Sequence, residues 1–167
     1  MNILILGPPG TGKGTQAKLV AGKYSMIHFC MGDLVRASKR LHDMSKSGEY
    51  VPDDIILKEV SKYQQRENLV LDGFPRTVYQ AQHSPFSIDR VVYLDSDEDT
   101  IVTRLLSRAK IEGREDDTEE VIRRRFEVYE TSTKPLLDFY KDKLVRVNGN
   151  GTIDEVFNSI CRKVFGE

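Results

Sequence analysis

A chain of 167 residues, 39% hydrophobic and 31% charged, has the length and composition of one globular domain with a sizeable core, and a second independent domain is not expected. A formal net charge of −1 excludes a sequence-independent attraction to nucleic acid or anionic membrane, so an anionic partner must be held by local charge, as a small ligand is. Cys30 and Cys161, the only cysteines, lie far apart with no metal-knuckle spacing and read as free thiols of a reducing compartment.

The first apolar run, Ile3 to Leu6, stops at Gly7-Pro8-Pro9. It is too short for a signal-peptide core or a membrane span and reads as a buried strand. The stretch Gly7-Pro8-Pro9-Gly10-Thr11-Gly12-Lys13-Gly14-Thr15 follows it and precedes a helical segment with Ala17, Leu19, Val20 and Ala21. That is the setting of a phosphate-binding loop: glycines allow an anion-binding nest, the helix aims its N-terminus at the ligand, and Lys13 reaches for the outer phosphates. The residue after the lysine is Gly14, where a metal-binding hydroxyl is usual, and Thr15 comes one place later. Magnesium must then rely on Thr15, on waters or on a strand-end carboxylate, for which Asp72 is the natural candidate.

A weaker apolar run, Met26 to Phe29, precedes a charge-rich stretch from Arg36 to Gly48 that leads to Val51-Pro52-Asp53-Asp54. Further apolar runs fall at Asn68 to Leu71, Arg90 to Leu94 and Leu144 to Val147. Helix-length segments separate them, the alternation of an α/β protein with a parallel sheet of about five strands covered by helices. Helix starts are expected at Ser96, with Glu98 and Asp99 behind it, at Thr118 before Glu119 and Glu120, and at the capping box Thr152-Ile153-Asp154-Glu155. Arg104 and Arg108 share one helix face. A second charge-rich stretch, Arg108 to Asp117, joins the first as a candidate mobile insertion over a site. Beyond Thr118 the apolar residues keep helical spacing until Pro135, which should bend or restart the helix. His28, His42 and His83 show no ligand spacing and receive no catalytic role.

In order and spacing these pieces resemble the adenylate kinase family of nucleoside monophosphate kinases, nearly end to end. The loop Gly7 to Thr15 is similar to the family's variant with glycine after lysine. Gly32-Asp33-Leu34-Val35-Arg36, Val51-Pro52-Asp53, and Leu71-Asp72-Gly73-Phe74-Pro75-Arg76-Thr77 with Gln80 beyond resemble its acceptor-side segments. Arg104-Leu105-Leu106-Ser107-Arg108 and Gly113-Arg114-Glu115-Asp116-Asp117 resemble the edges of its lid, and Arg125, Tyr129 and Pro135 its following helix.

The resemblance implies a P-loop nucleotide kinase fold and reversible transfer of the γ-phosphoryl of MgATP to AMP, giving ADP. It implies one domain, with a core of 1–29, 68–107 and 118–167, a monophosphate-binding insertion at about 30–67 and a short lid at about 108–117. ATP would lie on Gly10, Thr11, Gly12, Lys13, Gly14, Thr15, Arg104, Arg108 and Gly151. AMP would lie on Met31, Arg36, Gly73, Arg76, Gln80, Arg114 and Arg125. Lys13, Arg76, Arg108, Arg114 and Arg125 would be catalytic, offsetting the charge of a metaphosphate-like transition state with fixed cations. Magnesium would be held by Asp72 and Thr15 through water. A cytoplasmic monomer with no structural zinc, no nucleic-acid partner and no membrane partner completes the expectation.

The sequence departs from the family in three places. The lid has no room for a small sheet and no cysteines for zinc, and the insertion between Arg36 and Val51 is trimmed. Cys30-Met31 stands where Ser-Thr is usual; Met31 removes a hydroxyl that could contact the acceptor. Gln80 argues for a purine, because its amide can donate and accept along one base edge. The alternatives are a kinase for UMP, CMP or another monophosphate, a nucleotide-hydrolysing regulator with no second substrate, and an inactive scaffold. The pair Asp116-Asp117 either anchors the lid arginines or forms a solvated turn, while Arg123 and Arg124 are expected on a solvated face.

Overall fold

The computed structural model describes residues 1–112 and 118–167, with the backbone alone at 109, 110 and 112. Five strands form one parallel sheet: β1 (Ile3–Leu6), β2 (Ile27–Cys30), β3 (Leu69–Asp72), β4 (Arg90–Asp95) and β5 (Leu144–Asn148), in the order β2-β3-β1-β4-β5. The five apolar runs thus become the five strands, each within a residue or so of its expected bounds.

The register explains why the runs are continuously apolar. Leu4 and Leu6 face one core with Leu69, Leu71, Val91 and Tyr93, while Ile3 and Ile5 face the other with Val70, Val92 and Leu94. A sheet buried on both faces needs apolar residues at every position, and Ile3, Leu4 and Ile5 are wholly buried. Truncating any of them to alanine should cost about 2–5 kcal/mol.

The helices are α1 (Lys13–Lys23), α2 (Met31–Ala37), α3 (Lys39–Ser45), α4 (Asp53–Ser61), α5 (Val78–Gln82), α6 (Glu98–Glu112), α7 (Glu119–Val128), α8 (Leu136–Phe139) and α9 (Ile153–Ile160). Thr118 caps α7 through Val121 N–H, and Thr152 and Glu155 form the reciprocal capping box of α9. The start of α6 corrects the sequence reading. Asp97, not Ser96, is its cap: the Asp97 carboxylate accepts from Thr100 N–H at 2.8 Å and its carbonyl from Ile101 N–H. Ser96 Oγ is instead buried with no hydrogen-bond partner. Pro135 acts as expected. It has no N–H to continue the ladder, and the turn before it widens into a π-helical segment, Tyr129–Thr133, closed by Lys134 N–H on Tyr129 O at 2.9 Å.

The connections after β1 and β3 leave in opposite directions across the sheet, toward β2 and β4. In open α/β sheets such a switch point opens a crevice at the carboxyl ends of the strands. No described helix is long and apolar enough to cross a membrane.

Candidate active site

The crevice is a cavity of about 780 Å³. Every residue nominated from the sequence lines it except Arg114, which, like Asp116 and Asp117, lies outside the described residues.

The donor side is built from backbone. Gly12 takes φ 93° as the cap of α1, a left-handed conformation that glycine adopts without penalty, so the α1 N–H groups open onto the loop. Lys13 Nζ donates to the carbonyls of Gly7 at 2.9 Å and Pro8 at 2.8 Å, which centres the ammonium in the loop and leaves one N–H. Burial lowers its pKa to about 8; Asp72 opposes that, and the cations of Arg76, Arg108 and Arg125 reinforce it. All four cations therefore share one field.

The unusual Gly14 has a geometric reason. A Cβ there would stand 3.2 Å from Asp72 Oδ2, so the space a hydroxyl residue would need is crowded by the carboxylate. Burial pushes the Asp72 carboxyl up, but His28, Lys13 and Arg76 outweigh it and hold the group below the usual carboxylate range. Asp72 is accordingly an anion at neutral pH, a hard oxygen ligand facing Gly14 in the cavity that the exposed Thr15 also lines.

Arg104 crosses to the loop from α6. Its guanidinium donates to the carbonyls of Thr11 (3.2 Å), Gly149 (2.8 Å) and Gly151 (3.0 Å). These bonds lie in the guanidinium plane, so its face stays available for stacking.

The acceptor side is built from side chains. Gln80 is 1% exposed. Its Oε1 accepts from Arg76 N–H at 2.8 Å, and its Nε2 donates to Asp53 Oδ1 at 2.7 Å. One N–H and one acceptor direction remain on the amide. Asp53 also accepts from Thr77 Oγ1 at 3.1 Å, and Thr77 Oγ1 in turn accepts from Gln80 N–H at 3.1 Å. Arg76 Nε donates to Gly73 O at 2.8 Å, and its guanidinium lies 4.9 Å from the centre of the Tyr50 ring. Thr133 Oγ1 donates to Arg76 O at 2.8 Å, which leaves Tyr50 Oη the donor in its 2.8 Å bond to Thr133 Oγ1.

Asp53, Tyr50 and Thr133 thus hold the acceptor side, and nothing in the sequence marked Tyr50 or Thr133. Arg36 is paired with Asp33 at 2.5 Å, half exposed, at the cavity wall. Met31 is buried in the core cluster that backs that wall. Arg123 and Arg124 are exposed as expected, yet Arg124 also ties α7 to Glu49 in the link between α3 and α4.

The chain is similar to known proteins over most of its length. The family model described as adenylate kinase matches residues 5–145. The chain is 39% identical over 173 residues to an adenylate kinase of Encephalitozoon cuniculi, covering 97% of each chain. It is 40% identical over 179 residues to adenylate kinase 1 of a Nostoc species, covering 95% of each. It is 39% identical over 179 residues to an adenylate kinase of Thermus thermophilus, covering 95% of this chain and 94% of the relative.

Proposed function

The chain belongs to the adenylate kinase family, and from that premise we propose how its residues carry a phosphoryl group between ATP and AMP. The observation that carries the reading is the convergence of Lys13, Arg76, Arg108 and Arg125 on one cavity. Bringing two nucleotides together concentrates negative charge, and fixed cations offset that repulsion most strongly in the transition state.

ATP lies along the loop from Gly10 to Thr15, with its base toward Arg104 and Gly151 and its outer phosphates at Lys13. AMP lies on the opposite wall, its phosphate between Arg36 and Arg76 and its base against Met31, Gly73 and Gln80. The free donor and acceptor positions of Gln80 suit a purine edge. Arg108, Arg114 and Arg125 close on the transferring group, with residues 108–117 as lid and 30–67 as the monophosphate-binding insertion. No general base is needed, because a monophosphate oxygen is already ionised near neutral pH; catalysis is positioning plus electrostatics.

The donor set at Asp72 fits magnesium. Its ionised carboxylate and the neighbouring Thr15 hydroxyl would hold the ion through water, and the ion would neutralise charge on the β- and γ-phosphates. The free thiols Cys30 and Cys161 suit a cytoplasmic location, and we read the enzyme as a monomer.

The test is ADP production from MgATP, first without acceptor and then with AMP, UMP, CMP, GMP and dAMP in turn. The expected result is dependence on AMP, with two ADP formed per ATP consumed. A pyrimidine preference would reverse the role given to Gln80, and phosphate release without acceptor would replace the kinase by a hydrolase.

A further inference from the structure

One group in the cavity, where the edge strand β2 meets β3, has members to which the mechanism gives no role. Among the described residues, one group brings three metal-ligating side chains together: His28 and Cys30 on β2 and Asp72 on β3, with one ligand atom from each within 4.8 Å of the others. No local pattern announces it, since a lone His-x-Cys is not a ligand motif and the third member is more than forty residues away. The register creates it. Residues 28 and 30 project to the same face of β2, and Cys30 pairs directly with Asp72 across the parallel ladder.

Asp72 Oδ2 lies 3.7 Å from both His28 Nε2 and Cys30 Sγ. In a tetrahedral zinc site, bond lengths of about 2.0–2.3 Å place ligand atoms roughly 3.3–3.6 Å apart. The two contacts to Asp72 already approach that spacing. His28 Nε2 is shielded from solvent and, beyond its 3.7 Å approach to Asp72 Oδ2, has no hydrogen-bond partner, a buried polar atom of the kind that a ligand satisfies.

We propose that His28, Cys30 and Asp72 form an inhibitory binding site for a thiophilic divalent cation such as Zn²⁺, with water in the fourth position. A thiolate and an imidazole select such ions over magnesium, which prefers an all-oxygen octahedron. Binding expels the thiol proton to solvent and leaves a Cys30 Sγ–metal bond; no electron changes hands. Inhibition follows from geometry. The bound ion takes the Asp72 oxygen that faces Gly14 and the phosphate loop. This inhibitory half rests on the reading of Asp72 as the carboxylate that holds magnesium, whereas the binding half does not.

The experiment titrates full-length, nucleotide-free protein with Co²⁺, following the near-ultraviolet thiolate-to-cobalt band, and then displaces the cobalt with buffered Zn²⁺. The wild type and Cys161→Ser should take up one cobalt with the band. Cys30→Ser should lose the band, and His28→Asn should bind at least about tenfold more weakly. Buffered Zn²⁺ should weaken MgATP binding and slow AMP phosphorylation in the wild type. Cys30→Ser should turn over normally without zinc and resist it.

Absence of the band in the wild type, its persistence in Cys30→Ser, or unchanged affinity in His28→Asn would overturn the site. Full MgATP affinity with zinc bound would overturn the inhibition. Failure of the zinc-free wild type to phosphorylate AMP would count against the kinase reading alone, because the cobalt band and the MgATP affinity are read without turnover.

Discussion

The two walls of the cavity are made of different material. The donor wall is backbone: a glycine-permitted turn, the N-terminus of α1 and carbonyls that hold Lys13 and Arg104. The acceptor wall is a web of side chains, Arg76, Gln80, Asp53, Thr77, Tyr50 and Thr133, drawn from the β3–α5 turn, α4, α5, the α3–α4 link and the π-helical segment. A backbone wall is fixed by local conformation, whereas a side-chain wall holds only while every partner is in place. Single substitutions should therefore spread further on the acceptor side.

The largest effect is expected from Arg76→Ala. Turnover should fall on the order of 10³-fold, as when a transition-state cation is removed, with the circular dichroism spectrum unchanged. Ordinary turnover would remove Arg76 from the chemistry.

Asp53→Ala tests whether the web acts as a unit. It leaves a buried Gln80 N–H without its partner, a cost of about 1–3 kcal/mol. The KM for AMP should rise roughly tenfold while the KM for ATP stays near wild type. Equal effects on both substrates would erase the distinction between the walls.

On the donor side the sharper probe is pH. Lys13 has its pKa lowered to about 8 in the free protein, and phosphates favour its charged form. Below that pH the lysine is already protonated; above it, binding must take up a proton. ATP affinity, measured by calorimetry, should fall as pH rises through about 8, with proton uptake growing over the same interval. Affinity flat from pH 7 to 9.5 would contradict the shift.

The smallest effect is expected from Tyr50→Phe. It removes the bond to Thr133 but keeps the ring under Arg76, and should cost ~1 kcal/mol in a denaturant melt with turnover retained. Tyr50→Leu should in addition raise the KM for AMP, since it removes the surface on which the guanidinium rests.

The same contrast governs how much could be read in advance. The strands and the loop were legible because each is specified within a few residues: continuous apolar runs, then glycine and lysine at fixed spacing. Asp72 was legible as the polar end of an apolar run. The acceptor web was not, because its bonds join residues 24, 57 and 83 positions apart, and no local pattern announces them. Ser96 misled because two capping side chains stand in succession and only three-dimensional geometry selects Asp97. The His28–Cys30–Asp72 group stayed hidden for the reason the web did, the register of β2 on β3.

Arg104 has a consequence for how the molecule responds to ligand. One guanidinium fastens the phosphate loop, the middle of α6 and the turn before α9, alongside the bonds of Gln16 Nε2 to Ile153 O and of Asp97 N–H to Asn150 Oδ1. Their local opening is thereby a shared equilibrium. A nucleotide that stabilises the loop must, by linkage, slow amide hydrogen exchange in residues 149–156 as well as in α1. An Arg104→Ala chain should lose most of that distant protection, keeping what Gln16 transmits to Ile153, and should keep the near one.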